Sequence, residues 1–418
     1  MHKRIKLNED VLKNAILSIL ALIIIFIILR DSITTKHDFS GYIIAGKLAW
    51  ERGDIYSHYL NTWPPSFSVF SIPLYLLNSI SHKALQFVWL SGFTLVYVLC
   101  FKWLLAIFFN KDFKLSLKKP DQTNETLKSW VFIVPFLLGL RIFVEEVVNI
   151  QINIYLMGMC LLALHLLTKG KQTLPALLIA ITILCKAYTI LLLPFFIFRK
   201  RFILTAYVLG WISVLMLGVF MYFGFHETIQ HHITWWSKDV LTKHIYDYGN
   251  QSIWGFVTGL VSNVERFSGV SYNLWSFTLQ ESKIFSLGVI GLIALIVGIV
   301  FIYTYNFKLS FEWQYIILIS FIPLFSPIAW KYYFVFLLPL TLNLYIITRQ
   351  DKKLRILFLI PILLITLSSE LFVGSRISDI LEAYGIFTHA TLFLLFVYIY
   401  IFTVHHEKTL RYSDRINH

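Results

Sequence analysis

The feature that most constrains this chain is a series of long apolar runs that contain almost no charge. The first run, from Asn14 to Leu29, contains none. An α-helix needs about 20 such residues to cross a hydrocarbon core ~30 Å thick. The chain is 57% hydrophobic and 14% charged, far more apolar than soluble domains. These runs predict an all-α polytopic membrane protein. They exclude a β-barrel, because they are continuous and do not alternate.

Two features decide how the runs are divided into spans. Lys186 interrupts the run 174–199, and a lysine in mid-membrane is costly unless it faces a wet cavity, so the run is divided there. The segment 66–80 is short and rich in Ser and Pro, which predicts a partly inserted helix on the outer face. About twelve transmembrane helices are then predicted, at 13–30, 84–109, 129–147, 152–168, 174–187, 188–199, 202–224, 285–306, 313–327, 331–347, 355–372 and 386–404.

Basic residues set the predicted orientation. The positive-inside rule places KDFKLSLKK, residues 111–119, and both termini in the cytoplasm. Loops that contact anionic lipid headgroups then explain the net charge of +13, without nucleic-acid binding. The sequence RDSITT after the first run lacks a small-residue cleavage site, which predicts an uncleaved anchor. We therefore expect a multi-pass protein of a bacterial inner (plasma) membrane, with its site on the extracytoplasmic side.

Two segments on the predicted outer side, 31–83 and 225–284, are too long to be plain connections. Both mix Trp and Tyr with charged residues, which suits a membrane interface and also suits the faces of sugars. Within the first segment, apolar residues recur at helical spacing over 39–53. This pattern predicts an amphipathic helix that lies on the outer leaflet.

Asp38 stands directly before that predicted helix and has two interpretations. As an N-cap, its carboxylate would accept hydrogen bonds from free backbone N–H groups. As a general base at the membrane edge, it would take a proton from an acceptor hydroxyl. The residues around Asp38 favour the cap, whereas the ordered motifs described below favour the base.

Further ionisable groups interrupt the apolar runs. Lys186 is either a ligand for a lipid phosphate or a lysine that snorkels or pairs with a carboxylate. Arg141, Glu145 and Glu146 lie near the predicted outer end of a span, and they form either a structural cluster or the wall of a wet site.

Metal and cofactor motifs do not stand out in this sequence. His231 and His232 are adjacent, so their side chains diverge, and there is no HExxH or DxD motif. The sequence also lacks a Walker motif, GxSxG, and GxGxxG after a strand. We therefore expect no metal and no cofactor. The three cysteines lie within predicted spans without CxxC spacing, and are expected to be buried apolar side chains: Cys100, Cys160 and Cys185.

Five motifs over about residues 15–350 resemble the GT-C superfamily of membrane glycosyltransferases. In particular they resemble glycosyltransferase family 87, the polyprenyl-phosphate-mannose-dependent type. Each motif alone is weak, but five in the family's order are fairly specific. They are Asp38, Phe39, Tyr42, Ala45, Gly46, Gly53, Tyr56, Pro64 and Pro65; QIN (Gln151 to Asn153); Lys186; NQSIWG (Asn250 to Gly255); and SPIAW (Ser326 to Trp330).

The chain departs from the family pattern at several places. Ile150 stands where the family has Gly before Gln151, and Ala329 stands for Ser. Lys331, Tyr332 and Tyr333 follow Trp330, where the family tends to carry histidines. If a histidine there helps to hold phosphate or acceptor, Lys331 or a tyrosine must replace it.

The resemblance implies a GT-C-type bundle with outer-face amphipathic helices, and an inverting glycosyltransferase. The donor would be a polyprenyl-phosphate sugar carrying a mannosyl-like hexosyl or a pentosyl unit. The acceptor would be a glycolipid or an envelope glycan. Asp38 would be the base, and Lys186, with Lys331 and Arg141, would bind the donor phosphate. The remaining expected substrate-binding residues are Tyr42, Glu145, Gln151, Asn153, Asn250, Gln251, Trp330 and Tyr332.

The catalytic domain is expected at 1–350, followed by a transmembrane hairpin and a short cytoplasmic tail at 351–418. Two other functions remain alternatives. A lipid or sugar transporter would show paired discontinuous spans in two related halves. A polysaccharide polymerase or ligase would carry arginines in a large outer loop, whereas the segment 225–284 contains only Arg266.

Overall fold

The apolar runs fold into α-helices, as their length and composition predict. The structure is a computed structural model that describes residues 9–33, 37–240, 247–263, 273–306 and 309–404. Both predicted cytoplasmic termini fall partly in residues 1–8 and 405–418, which lie outside the described residues, as does Arg266.

The described chain is a succession of α-helices. In chain order they are α1 (Glu9–Ile33), α2 (His37–Trp50), α3 (Pro65–Phe70), α4 (Ile72–Ile80), α5 (His82–Phe109), α6 (Trp130–Asn149), α7 (Asn153–Thr168), α8 (Thr173–Cys185), α9 (Leu192–Phe198), α10 (Phe202–Phe223), α11 (Phe225–Thr234), α12 (Ile253–Val261), α13 (Leu279–Asn306), α14 (Phe311–Phe325), α15 (Leu338–Thr348), α16 (Lys352–Leu367), α17 (Glu370–Val373), α18 (Ser375–Ala383) and α19 (Ile386–Val404). Two 3₁₀ helices (Ala187–Leu191 and Lys331–Leu337), a π-helix (Trp235–Val240) and two parallel strands, β1 (Asp112–Lys114) and β2 (Asn124–Thr126), complete the described elements.

The predicted count of twelve spans is not confirmed. Among the described residues, five helical segments are long and apolar enough to cross a membrane. A sixth span would join α18 and α19, which meet at an angle of 59°. Other predicted spans form shorter helices, such as α7, α8 and α14 with 16, 13 and 15 residues, and α6 carries Arg141, Glu145 and Glu146. The five segments are Glu9–Asp31, His82–Phe109, Phe202–Phe223, Leu279–Tyr303 and Lys331–Thr348.

These segments differ in how deeply they are buried. In Lys331–Thr348, 72% of the most apolar stretch is buried inside the protein, whereas the value for Leu279–Tyr303 is 11%. A helix that is apolar on all sides and exposed along its length is suited to contact lipid. The core therefore lies among α5, α6, α7, α14 and α15, and α13 lies at its edge.

The helix predicted at 39–53 is present as α2, but it begins at His37 and ends at Trp50. Its apolar side is buried, with Phe39 and Tyr42 fully inaccessible to solvent. That side packs against α3 and α4 and does not rest on lipid. At Gly46 a β-carbon would lie only 2.3 Å from the carbonyl oxygen of Ser71, so only glycine permits this approach of α2 to the α3–α4 junction.

Two predicted interruptions are confirmed. The segment 66–80 forms α3 and α4, which have six and nine residues and are too short to span a bilayer. The second interruption lies at Lys186, where α8 ends and the backbone becomes extended, with φ −145° and ψ 109°. A 3₁₀ helix follows directly. The start of α3 contacts the end of α8, because the Ser66 hydroxyl donates a 2.6 Å hydrogen bond to the carbonyl oxygen of Leu184.

Candidate active site

A cavity of about 550 Å³ is lined by both Asp38 and Lys186. The predicted chemistry requires a base and a phosphate-binding cation to reach one substrate, so a shared cavity is a necessary condition. The volume falls within the ~300–1,000 Å³ typical of small-ligand pockets. Other lining residues include Tyr59, Trp63, Gln151, Tyr188, Ile190, Leu191, Trp235, Trp236, Phe325, Ile328, Trp330, Tyr332 and Tyr333.

Asp38 lies in the first turn of α2, directly after its first residue, His37. Its Oδ2 atom accepts a hydrogen bond from Gln151 Nε2 and another, at 3.2 Å, from the hydroxyl of Tyr332. Both donors come from elements remote in sequence. Tertiary packing thus orients this carboxylate at the edge of the cavity.

Tyr42 lies behind Gln151 and does not line the cavity. The fully buried Tyr42 hydroxyl donates to Gln151 Oε1 at 3.3 Å and accepts from the backbone N–H of Ile152 at 3.1 Å. Burial raises the pKa of Tyr42 well above its usual value, so the phenol stays protonated. Because Tyr42 occupies Oε1, the amide nitrogen of Gln151 is directed to Asp38.

The turn that carries Gln151 has an unusual backbone. Ile150 ends α6 with φ 50° and ψ 49°, in the left-handed region. This conformation is favourable for glycine and costly for a β-branched residue. The geometry therefore explains why the family pattern has Gly at this position. Here Ile150 keeps the turn, and its side chain is fully buried.

Lys186 is held by uncharged groups. Its Nζ donates a 2.9 Å hydrogen bond to Asn153 Oδ1, and the same oxygen accepts from the Tyr188 hydroxyl at 2.9 Å. The ring centroid of Tyr333 lies 4.0 Å from Nζ, within range of a cation–π interaction. Only 4% of Lys186 is exposed, so these contacts replace most of its hydration.

Glu146 is the acidic group that acts most strongly on Lys186, and Asp38 is the next. Glu146 is completely buried in α6. The sequence pattern favoured Glu145 for the site, but adjacent helical residues point about 100° apart. Glu146 therefore faces Lys186, whereas Glu145 faces another cluster.

That second cluster contains Arg141, Glu145, Lys331 and Glu382. Arg141 lies 3.6 Å from Glu382, and each of these side chains is 6% exposed. Lys331 Nζ lies 3.3 Å from Glu145 and 3.2 Å from Glu382. None of the four lines the cavity. The structure thus separates Arg141 and Lys331 from Lys186, although the same phosphate-binding role was expected for all three.

A comparison with known protein families identifies the family of this chain. The sequence model of glycosyltransferase family 87 matches residues 61–327, well over half of the 418 residues. The chain belongs to glycosyltransferase family 87. The resemblance drawn from the five ordered motifs is thereby confirmed, and the protein is a membrane glycosyltransferase. Searches of curated proteins and of solved structures gave no match.

The family match covers only part of the candidate site. Gln151, Asn153 and Lys186 lie inside the matched range, whereas Asp38 and Tyr332 lie outside it. The link between the matched and unmatched parts is therefore spatial. The hydrogen bond from Gln151, inside the matched range, to Asp38, outside it, is one such contact.

Asn250 and Gln251 of the Asn-Gln-Ser block bind backbone atoms next to the cavity. Asn250 Nδ2 donates to the carbonyl oxygen of Pro327 at 3.0 Å, and Asn250 Oδ1 accepts from the Ala329 backbone N–H at 3.0 Å. Gln251 Nε2 donates to the carbonyl oxygen of Glu382 at 2.7 Å. Neither residue lines the cavity. The Asn250 side chain and the Gln251 backbone N–H, which donates to the Ala329 carbonyl oxygen at 2.7 Å, hold the backbone just before Trp330, which does line it.

Several cavity residues were not selected from the sequence. Tyr188 follows Lys186 by two positions, and Tyr333 follows Tyr332, so proximity in sequence was an available signal. Trp235 and Trp63 belong to the two segments predicted to lie on the outer side, where only the composition of each segment pointed to them. Trp235 joins those segments, because its Nε1 donates to the carbonyl oxygen of Thr62 at 3.1 Å.

His231 and His232 have separate surroundings on α11. The His231 ring lies 5.0 Å from the Phe223 ring and 6.2 Å from the Tyr56 ring, and burial lowers its pKa. His232 Nδ1 lies 2.8 Å from the carbonyl oxygen of Thr228. Within the described ranges, no three His, Cys, Asp or Glu side chains are grouped as metal ligands.

Proposed function

We propose that this family 87 enzyme transfers a mannosyl-like hexosyl or a pentosyl unit from a polyprenyl-phosphate sugar to a lipid-linked or envelope glycan. The reaction would take place on the extracytoplasmic face of a bacterial inner membrane and invert the anomeric centre. The observation that carries the proposal is that Asp38 and Lys186 line one cavity. A carboxylate and an ammonium group are thereby available to the same substrate.

In the proposed reaction, Asp38 takes the proton of an acceptor hydroxyl as its oxygen attacks the anomeric carbon. The bond between that carbon and the phosphate oxygen breaks, and its electron pair stays on the phosphate. The leaving polyprenyl phosphate gains one negative charge. Lys186 stabilises this charge electrostatically in a buried setting, where the effect is larger than in water.

The remaining cavity lining is compatible with the two parts of such a donor. Ile190, Leu191 and Phe325 offer an apolar surface to a prenyl chain. Trp63 and Trp235 offer aromatic faces, whose polar edges and apolar faces suit sugar rings. The bias of basic residues supports the outer-face assignment and cytoplasmic termini.

The test is sugar transfer in membranes supplied with polyprenyl-phosphate mannose. Asp38→Asn should lower the transfer rate by about 10²–10⁴-fold, because the amide cannot accept the proton. Asp54→Asn is a matched control: Asp54 is exposed in the same outer segment, and its Oδ1 accepts from the Tyr56 N–H, as an amide oxygen also can. Transfer at the wild-type rate by Asp38→Asn would show that Asp38 is not the base.

A further inference from the structure

Three consecutive residues at the start of one 3₁₀ helix reach three different groups. The helix spans Lys331–Leu337. A 3₁₀ helix has three residues per turn, so successive side chains point about 120° apart. Lys331 points to the ion-pair cluster, Tyr332 to Asp38, and Tyr333 to Lys186.

We propose that Tyr332 and Tyr333 are positioning residues for the transfer reaction: Tyr332 orients the Asp38 carboxylate, and Tyr333 orients the Lys186 ammonium group. This inference rests on the proposed function, because it assigns the two tyrosines to the base and to the phosphate-binding cation. It differs from the direct substrate contact expected for Tyr332 from the sequence.

Tyr332 contacts Asp38 from the 3₁₀ helix. Its hydroxyl donates to Asp38 Oδ2 at 3.2 Å, and its ring lies 5.5 Å from the ring of Tyr333. A hydrogen bond to the charged form of a carboxylate favours that form. We therefore expect the Tyr332 hydroxyl to favour the ionised form of Asp38 and to orient its carboxylate.

Other titratable groups also face Asp38 and influence the ionisation of its carboxylate. They interact with Asp38 electrostatically from α2, α6, the α8 boundary and the 3₁₀ helix. Lys186 favours the ionised carboxylate, whereas Glu146 opposes it. Among the described residues, these groups include Tyr42, Glu146, Lys186, Tyr332 and Tyr333.

Tyr333 acts on Lys186 through its ring. The distance of 4.0 Å from Nζ to the ring centroid is short for a cation–π contact, and the Tyr188 ring lies farther away, at 6.0 Å. An aromatic face attracts the ammonium group without supplying an anion that would compete with a phosphate. Tyr333 and Asn153 thus fix Nζ from two sides.

The test for Tyr332 is the pH dependence of kcat/KM in Tyr332→Phe. Without the hydroxyl, the acidic limb of the profile should move to higher pH by on the order of one unit. Tyr222→Phe is a matched control, because the Tyr222 hydroxyl bonds the carbonyl oxygen of Ala49 at the other end of α2. General loosening of α2 would shift both profiles, whereas positioning of Asp38 predicts a shift in Tyr332→Phe alone.

If Tyr332→Phe does not accumulate, Gln151→Met removes the other donor to the same carboxylate oxygen and should move the limb in the same direction. For Tyr333, replacement by Leu should raise the KM for polyprenyl-phosphate mannose by about ten-fold. Tyr333→Phe keeps the ring and should raise that KM less than Tyr333→Leu does.

The outcomes separate this inference from the proposed function. If Asp38→Asn is inactive but Tyr332→Phe has the wild-type profile, the positioning role of Tyr332 is overturned and the function stands. If Asp38→Asn is active, the proposed base itself fails. Equal KM values for Tyr333→Leu and Tyr333→Phe would overturn the role of the Tyr333 ring.

Discussion

Lys186 and Lys331 occupy very different surroundings, although the sequence suggested the same role for both. Lys186 lines the cavity and contacts an amide oxygen and an aromatic ring. Lys331 lies outside the cavity lining and contacts two carboxylates, Glu145 and Glu382. The comparison shows that the partners of a buried charge, more than its position in the sequence, indicate its role.

The physical reason lies in what each set of partners leaves available. A carboxylate partner satisfies an ammonium charge directly, and breaking such a buried pair leaves an uncompensated charge. An amide oxygen or a ring face orients the ammonium group and leaves its net charge unchanged. Although Glu146 and Asp38 also act on Lys186 electrostatically, its direct contacts are uncharged and it is suited to meet an anionic ligand, whereas the cluster around Lys331 is suited to join helices.

The largest expected effect concerns the stability of that cluster. Arg141→Met should lower the free energy of unfolding by about 3–5 kcal/mol, because Glu382 would stay buried with less compensating charge. Thermal unfolding in detergent measures this change. The double variant Arg141→Met/Glu382→Gln should recover part of the loss, since it removes the uncompensated carboxylate. No recovery would contradict a role for the ion pair.

The next largest effect separates the two lysines by activity. Lys186→Met should lower the rate of sugar transfer by about 10²–10³-fold, the magnitude typical of a lost electrostatic contact in a transition state. Lys331→Met should lower the rate much less and act mainly on thermal stability. Both rates are divided by the amount of folded enzyme, which is measured as the fraction of protein that stays soluble and folded in detergent. A smaller loss for Lys186→Met than for Lys331→Met would reverse the assignment.

A smaller effect on stability is expected at Asn250, whose side chain binds the backbone of Pro327 and Ala329 near the cavity. Asn250→Ala should cost about 1–3 kcal/mol of stability, because the Pro327 carbonyl and the Ala329 N–H lose a buried partner. Unfolding in detergent again provides the measurement. Asn263→Ala, at an exposed residue after α12, is the control and should cost much less.

The smallest effect concerns the turn that presents Gln151. Ile150→Gly and Ile150→Ala both remove a buried side chain, but only glycine relieves the left-handed backbone. Ile150→Gly should therefore be more stable than Ile150→Ala by about 1 kcal/mol. Equal melting temperatures would indicate that the turn relaxes when the side chain is lost.

The sequence predicted features that depend on local composition or on a family pattern. The break at Lys186 and the family itself were confirmed, and the segment 66–80 forms two helices that are too short to span a bilayer. The structural signals arise because a buried charge is costly in the hydrocarbon core and a short apolar run cannot cross it. The candidate pair Asp38 and Lys186 also lie in one cavity.

Features that depend on tertiary contacts could not be predicted in the same way. The apolar side of α2 has a spacing that suits lipid and protein equally, so the sequence could not show that it packs on α3 and α4. Glu145 and Glu146 differ only by the direction in which they leave α6. The partner of Arg141, Glu382, lies more than two hundred residues away and outside the range of the family match.

The 3₁₀ helix at Lys331 has a consequence for how this chain can vary. Each residue added or removed between Trp330 and Tyr333 would rotate the following side chains by about a third of a turn. Deletion of Lys331 would direct a tyrosine to the carboxylates of the ion-pair cluster and an apolar residue, Phe334, to Lys186. Amino-acid exchanges at these positions can preserve the arrangement, but changes in length cannot. The spacing after Trp330 is thus a stricter constraint than the residue types themselves.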